Sequence, residues 1–439
     1  MSLSEKVRLA GVVGAGGGGF PTHVKLGGRA DIVIANGAEC EPLLHKDAAV
    51  MEHFAAEVVE GVRLSMEAVG AKDGVVGIKA KNGHAVDQVR AACKGTAVRV
   101  HLLGDYYPAG DEYDLVHEVT GRLIPPAGIP LQVGCIVNNV ETLANIAAAA
   151  AGRPVLDKIL TVAGAVHEPL TLTVPIGTSL RECIAAAGGL SVSSPVLMLG
   201  GLMMGEFSVN LDTPVVKTTT GVVVLPADHP VAMRKLTPPV AQARIGKSAC
   251  DQCRYCTEFC PRYLLGYAVE PHQVMRGLGF TATGTERWNE WAALCCSCGL
   301  CTLYACPEQL FPREACDDAK GVMRKAGFKW SGSMTVKPHP IREGRRVPIH
   351  GLMRKLEVEK YSHPAPWREA GVRPAKVVLL LKQHAGVPAV PKVKVGDAVR
   401  RGQLIADVAA GAMGAPIHAS LDGVVASVTD KNICIERGA

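Results

Sequence analysis

Short apolar runs separated by amphipathic stretches set the layout of the first third of the chain. Ile32-Val33-Ile34, Val75-Val76-Gly77-Ile78, Val98-Arg99-Val100 and Cys135-Ile136-Val137 are brief and rich in β-branched residues, the habit of buried strands. Helix-like stretches fall at about 47–69, 84–94, 111–120 and 141–151. Strand-then-helix alternation predicts a Rossmann-like, largely parallel sheet covered by helices over residues 1–153. In such sheets, ligands sit where strand ends meet helix starts.

The pattern then changes. Leu170-Thr171-Leu172-Thr173-Val174-Pro175, a helical run over 179–187 and Val196-Leu197-Met198-Leu199-Gly200-Gly201 predict a small β-grasp-like domain over 154–235. Residues 236–330 are rich in cysteine, with a helical reading broken by glycines over 262–293. Residues 331–375 are basic and full of turns, as expected of a linker or wrapping segment. Short strands alternate with glycine turns over 376–439. The fold class is therefore a multidomain chain, α/β joined to α+β.

Composition narrows the function. The chain has 439 residues, 48% apolar but only 4% aromatic, which suits two to four domains with real cores. The net charge of +6 is mild. It suits attraction of an anionic partner or nucleotide, and equally an ordinary lysine-bearing surface. No basic tract is interleaved with aromatics, so nucleic acid is not an expected partner. The start, MSLSEKVRLAG, lacks the apolar core of a signal peptide. No run approaches the roughly 18 apolar residues of a membrane span. The expectation is a cytoplasmic protein without a membrane span.

Nine of the fifteen cysteines lie between Cys250 and Cys306. One run is Cys250-x2-Cys253-x2-Cys256-x3-Cys260-Pro261, the other Cys295-x2-Cys298-x2-Cys301-x4-Cys306-Pro307, with Cys296 as an extra. This is the spacing of bacterial two-cluster ferredoxins, in which the fourth cysteine of a run serves the other cluster. The expected ligands are Cys250, Cys253, Cys256 and Cys306 for one 4Fe–4S cluster, and Cys295, Cys298, Cys301 and Cys260 for the second. Cys296 is an alternative to Cys295. Zinc usually takes paired C-x2-C knuckles rather than triplets, and disulfide frameworks belong to small secreted domains. Cys40, Cys93, Cys135, Cys183, Cys316 and Cys434 read as structural thiols.

Gly14-Ala15-Gly16-Gly17-Gly18-Gly19-Phe20-Pro21 contains a literal G-x-G-x-x-G, with Glu39 at the spacing of a ribose-binding acid. A Rossmann dinucleotide site needs a strand before the glycines and a helix after them. About a dozen residues without a clear strand precede them, and Phe20-Pro21 interrupts the helix start. The stretch still lets backbone approach a phosphate or a flat ring, and a flexible loop is the plainer alternative. Asn36-Gly37-Ala38-Glu39-Cys40-Glu41-Pro42 and Asn138-Asn139 each follow a strand. There, asparagine amides can read a flavin or base edge.

Together, the glycine stretch, the Asn-x2-Glu-x-Glu-Pro turn and the Asn-Asn-Val-Glu-Thr turn resemble the flavin-binding subunit of respiratory complex I. They resemble the RnfC component of the Rnf electron-transport complex more closely. The resemblance implies FMN held by Gly14, Gly16, Gly17, Lys25, Asn36, Glu39, Asn138, Asn139 and Thr142. NADH would stack on the exposed flavin face. Gly110-Asp111-Glu112 matches a Gly-Glu-Glu beside the cofactor, and Phe20 an aromatic on the nicotinamide side. Leu26 stands where the family has a second aromatic. The family also carries a soluble-ligand-binding β-grasp module after the flavin domain. The last sixty residues resemble a lipoyl-type barrel-sandwich, but Gly411-Ala412-Met413-Gly414 holds no carrier lysine, so the fold is expected without the modification.

The whole layout is similar to that of the cobalamin reductases of bacterial propanediol utilisation. That resemblance implies electron transfer from NADH through FMN and two 4Fe–4S clusters to cobalamin, inside a bacterial microcompartment. It also implies an adenosyltransferase and a shell protein as possible partners. No Asp-x-His-x2-Gly motif for base-off cobalamin occurs. Two other readings are an electron-entry subunit serving ferredoxin or quinone partners, and a zinc-stabilised interaction protein.

Overall fold

The computed structural model of the protein describes residues 1–279, 287–369 and 371–438. Four strands form a parallel sheet near the N-terminus: β1 (Ile32–Gly37), β2 (Asp73–Lys79), β3 (Val98–Leu103) and β5 (Cys135–Asn139), in the order β3-β2-β1-β5. β4 (Tyr106–Tyr107) lies outside it. The strand order reverses between β1 and β5, and their ends are in register, Asn36 opposite Asn139. This crevice is where open α/β sheets bind ligands.

The helices fall close to their expected places, at Gly83–Cys93, Glu112–Thr120 and Val140–Ala150. The stretch expected as one helix over 47–69 is two, Lys46–His53 and Ala55–Val69, broken at Phe54. Ala55–Val69 lies against Val140–Ala150, and Gly61 permits the approach. A Cβ there would sit 2.0 Å from the Leu143 carbonyl oxygen. Val58, Val62, Leu143 and Ile146 are fully buried, each side chain contributing about 1.5–3 kcal/mol by leaving water.

The β-grasp unit is a six-stranded sheet built on β6 (Asp157–Gly164), β7 (Leu170–Pro175), β8 (Pro195–Leu199), β9 (Glu206–Ser208) and β10 (Gly221–Pro226). Three short elements between 347 and 368 reach three domains. β11 (Val347–Pro348) pairs with β4, and β12 (Trp367–Arg368) adds an edge strand beside β7. The Ile349–Lys355 helix buries Leu352 in one core with Tyr107, Met203, Cys298 and Leu300.

The cysteine region is built of short helices, including Pro261–Leu264 and Pro271–Gly277, closed by Pro312–Lys325. Part of the helical reading over 262–293 lies outside the described residues. The C-terminal barrel-sandwich pairs a four-stranded with a three-stranded sheet. Its Ile405, Ile417, Ile433 and Ile435 share a core with the N-terminal domain.

Candidate functional site

The glycine loop is closed by its own backbone. Gly14 N–H donates to the Phe20 carbonyl (2.9 Å) and Gly19 N–H to the Gly14 carbonyl (3.1 Å). Gly17 has φ +108°, and a Cβ on Gly17 or Gly18 would meet nothing within 4 Å. Thus the loop has an open face. Its other face is pinned, with Ala15 N–H donating to the buried Thr142 hydroxyl (2.9 Å). Gly16 lies against Asn139, at 3.2 Å from a would-be Cβ.

The sheet crevice brings the other expected residues to this loop. Asn36 Nδ2 donates to the Gly110 carbonyl (2.9 Å). Lys25 Nζ donates to the Val137 carbonyl (2.7 Å), lies 3.5 Å from Glu112 and sits 5.9 Å from the Phe20 ring centre. Leu26 is buried, so the position of the second aromatic is filled by core packing. Asn138 is buried, and its amide nitrogen has no protein partner. A buried donor without a partner is costly unless a ligand takes it.

Three expected contacts have other work in this structure. The Asn139 amide donates to both Asp47 oxygens, while its oxygen accepts from Lys46 and from the Glu141 N–H. Glu39 accepts the Asp47 N–H (2.9 Å). Burial, reinforced by Asp47, pushes its carboxyl up to about 8. Asp111 caps the Glu112–Thr120 helix and pairs with Arg262 at 2.8 Å.

Below the loop lies a charged network that the sequence did not announce. Lys46 and Lys158 are both fully buried, and both ion-pair with Glu141. Lys158 also donates to the Ala15 carbonyl (3.0 Å), so a β6 residue of the β-grasp sheet holds the glycine loop. Burial opposes the Lys46 charge, but Asp47, Glu141 and Glu39 hold its pKa above the ordinary lysine value. Burial pulls Lys158 down to about 8 against the carboxylate it shares with Lys46. Glu141 and Thr142 stood within a recognised turn. Nothing local marked Lys46 or Lys158.

A second junction closes the loop from the far end of the chain. Ala385 N–H donates to the Gly19 carbonyl (2.9 Å). Lys217, fully enclosed, donates to the Gly11 (2.7 Å) and Pro416 (2.8 Å) carbonyls. Burial alone lowers it to about 7.

In the cysteine region, Cys250, Cys253, Cys256 and Cys306 line one recess. Among the described residues, no three Cys, His, Asp or Glu side chains close on a single-ion site, where tetrahedral zinc needs sulfurs about 3.8 Å apart. Four thiols on one recess is the number that a 4Fe–4S core takes. With protein groups alone, burial and the neighbouring thiols push Cys256 up to about 12, a cost that cationic iron reverses. Cys260, Cys298 and Cys301 are buried, and their thiols neighbour one another and Cys295. Cys296 neighbours Cys298 and Arg262, whereas Cys295 adjoins Cys316 of the Pro312–Lys325 helix.

Hydrogen bonds join the two regions. Tyr107 Oη donates to the Cys298 carbonyl (2.7 Å) and Tyr267 Oη to the Ile124 carbonyl (2.6 Å). Arg262 stacks on Tyr113, 3.4 Å from the ring centre, while paired with Asp111. Glu41, which no sequence motif singled out on its own, accepts the N–H groups of Met203 and Met204, each at 2.8 Å.

Four family models match in chain order. They are the Nuo51 FMN-binding domain over 7–148, the SLBB domain over 159–207, a 4Fe–4S dicluster domain over 249–311 and the RnfC barrel-sandwich hybrid domain over 351–438. The chain therefore carries an FMN-binding domain and a dicluster iron–sulfur domain, the equipment of an electron-transfer oxidoreductase. Among the described residues, no helix is long and apolar enough to cross a membrane. A chain of the NAD+-reducing NiFe hydrogenase in its H2-reduced state shares the fold, with TM-score 0.50 and 21% identity over 75% of this chain and 67% of that one. A component of the proton-translocating ferredoxin:NAD+ oxidoreductase complex of Clostridium ljungdahlii is 36% identical over 59% of this chain and 55% of its own length. Cobalamin reductase PduS of Citrobacter freundii is 41% identical over all of this chain and 97% of its own, and that of Salmonella typhimurium 43% identical over 100% and 98%. By full-length identity across all four domains, the chain belongs to the PduS cobalamin reductase family.

Proposed function

We propose that the chain passes electrons from NADH, through FMN and two 4Fe–4S clusters, to cobalamin. The observation that carries the relay is the four-thiol recess drawn from both cysteine runs, in a cysteine region whose second thiol set is hydrogen-bonded to the glycine-loop domain through Tyr107 and the Cys298 carbonyl. The choice of cobalamin is supported by the names of the full-length relatives. NADH is supported by the likeness of residues 7–148 to a complex I flavoprotein domain.

Bound FMN supplies the exchange between a hydride donor and single electrons. The protein supplies the rest. Gly14, Gly16 and Gly17 offer backbone to the cofactor, and Thr142 and Lys158 hold that backbone in place. Asn138 offers its free amide to the flavin edge. Lys25 offers positive charge beside Phe20, the residue assigned to the nicotinamide side. Cys250, Cys253, Cys256 and Cys306 bind one cluster; Cys260, Cys295, Cys298 and Cys301 bind the other. No side chain is needed as a general acid or base. The site of action is the propanediol microcompartment, with an adenosyltransferase and a shell protein as partners.

Anaerobic reconstitution followed by NADH titration tests this. About eight irons per chain are expected, as two four-iron clusters require, together with flavin bleaching and loss of added cob(III)alamin. Zinc without iron, or flavin that NADH leaves oxidised, would refute the relay. The ferredoxin:NAD+ oxidoreductase relative favours a second reading, an electron-entry component of a larger complex. Cobalamin reduction by the purified chain alone counts against it.

A further inference from the structure

We infer that the two clusters act in series in a fixed order. The Cys260/Cys295/Cys298/Cys301 cluster receives electrons from the flavin domain. The Cys250/Cys253/Cys256/Cys306 cluster releases them at the surface. This rests on the relay and ligand sets proposed above and adds the direction of flow.

Contacts from the flavin domain converge on the first of these sets. Tyr107, on β4, is hydrogen-bonded to the backbone of Cys298 itself. Asp111, one residue from Gly110 and so from the Asn36 amide, pairs with Arg262, two residues after Cys260. The Met203 and Met204 amides are held by Glu41 from the Asn-x2-Glu-x-Glu-Pro turn. The Met203 carbonyl in turn lies 3.0 Å from a would-be Cβ of Gly299, between Cys298 and Cys301. Cys40 packs in the same core as Cys298 and Leu300. Cys260, Cys298 and Cys301 are all buried.

The second set has Cys256 and Cys306 buried but opens outward at one corner. Cys253 is exposed, and so are its neighbours Asp251, Arg254 and Tyr255, together with Pro307, Glu308 and Gln309 beside Cys306. Around Cys250 and Cys253 the side-chain hydrogen bonds are local, Gln252 to the Cys250 sulfur and the Cys253 N–H to Asp251; the longer ones of this set, Arg345 to Glu258 and Arg234 to the Leu310 carbonyl, come from outside the flavin domain. The sets adjoin through Cys256 and Cys301, whose thiols are electrostatic neighbours. Electron transfer slows steeply with distance, and the set that the flavin domain touches directly is therefore placed first in the inferred order, the set with the exposed corner second.

The balance is simple. One hydride from NADH carries two electrons. Each cluster takes one, passing from the 2+ to the 1+ state, and the proton goes to water. Two one-electron acceptors, such as two aquacob(III)alamin going to cob(II)alamin, then restore both clusters.

The test uses reconstituted full-length chain, freeze-quenched after NADH and read by EPR. In Cys298→Ser, flavin should bleach at the wild-type rate, while the exposed cluster's signal appears at least tenfold more slowly. In Cys253→Ser, the buried cluster should be reduced at the wild-type rate, while aquacobalamin reduction falls at least tenfold. An exposed cluster reduced at the normal rate in Cys298→Ser, or unchanged aquacobalamin reduction in Cys253→Ser, would overturn the order. Should either variant fail to fold, wild-type protein is read with a dysprosium–EDTA relaxant. One reduced-cluster signal must relax faster and the other must not; equal effects on both refute the assignment. If NADH fails to bleach wild-type flavin, the donor is wrong, and the order is then read after photoreducing the flavin with EDTA and light.

Discussion

Lys158 Nζ lies 3.0 Å from the Ala15 carbonyl oxygen, linking residues 143 positions apart in two domains. The same ammonium pairs with Glu141, which also holds Lys46. Breaking a buried pair by removing one partner costs about 3–5 kcal/mol. Lys158→Met should therefore lower the melting temperature by several degrees and release FMN. Lys158→Arg should recover part of both, measured by thermal unfolding and by fluorescence of freed flavin. Normal flavin content in Lys158→Met would exclude this role.

Asn138 makes the opposite prediction about stability. Its amide nitrogen is buried without a partner, so Asn138→Ala removes an unsatisfied group. The apoprotein should be as stable as wild type or more so. FMN affinity should fall about tenfold, the worth of roughly one hydrogen bond. Equal losses of both would mean that Asn138 serves the scaffold alone.

The Glu41 carboxylate serves two backbone donors at once. Glu41→Ala leaves the Met203 N–H without its partner at a buried residue, at about 1–3 kcal/mol, whereas the exposed Met204 can turn its N–H to water. The expected outcome is faster hydrogen exchange at Met203 and Met204, with the parallel sheet unchanged. Unaltered exchange there would show that the junction is held by other contacts.

Acid should loosen the contact between the barrel-sandwich and the glycine loop. Lys217 is lowered to about 7 by burial, His418 to about 4 by burial and Lys217, and His384 is lowered by the same two causes. Asp407 opposes the His418 shift and Lys382 adds to that of His384. A base with a depressed folded pKa binds fewer protons folded than unfolded, so stability rises with pH across that gap. For His418 the gap runs from about 4 to the usual histidine value, and for Lys217 from about 7 to the usual lysine value. Glu39, raised to about 8, runs the other way between the usual glutamate value and 8. Lys217→Met should flatten the alkaline rise, and Glu39→Gln should remove the opposing fall. Melting curves from about pH 5 to 9 separate them.

The parts of this molecule that follow local rules were legible in its sequence. Cysteine triplets ending in Cys-Pro announce cluster binding because the cubane imposes their spacing. The apolar runs at 32–34, 75–78 and 135–137 lie in strands of the parallel sheet because strand period and burial are local properties. What escaped was paired at long range. Lysine in a sequence reads as solvent-facing, so Lys46, Lys158 and Lys217 gave no sign of being the enclosed cations that they are. Phe54 broke a helix that periodicity carried straight through. β12, two residues long, joins a sheet that begins some two hundred positions earlier.

The hydrogen bond from Ala385 to Gly19 carries a consequence for biosynthesis. The glycine loop is synthesised long before Ala385, whose N–H its carbonyl accepts, and before Pro416, onto which Lys217 clamps. A nascent chain thus exposes an unfinished cradle until residues 385 and 416 have emerged. Flavin capture should thereby depend on the synthesis of these later residues, and a chain truncated before Ala385 should take up the cofactor poorly whatever the state of its sheet.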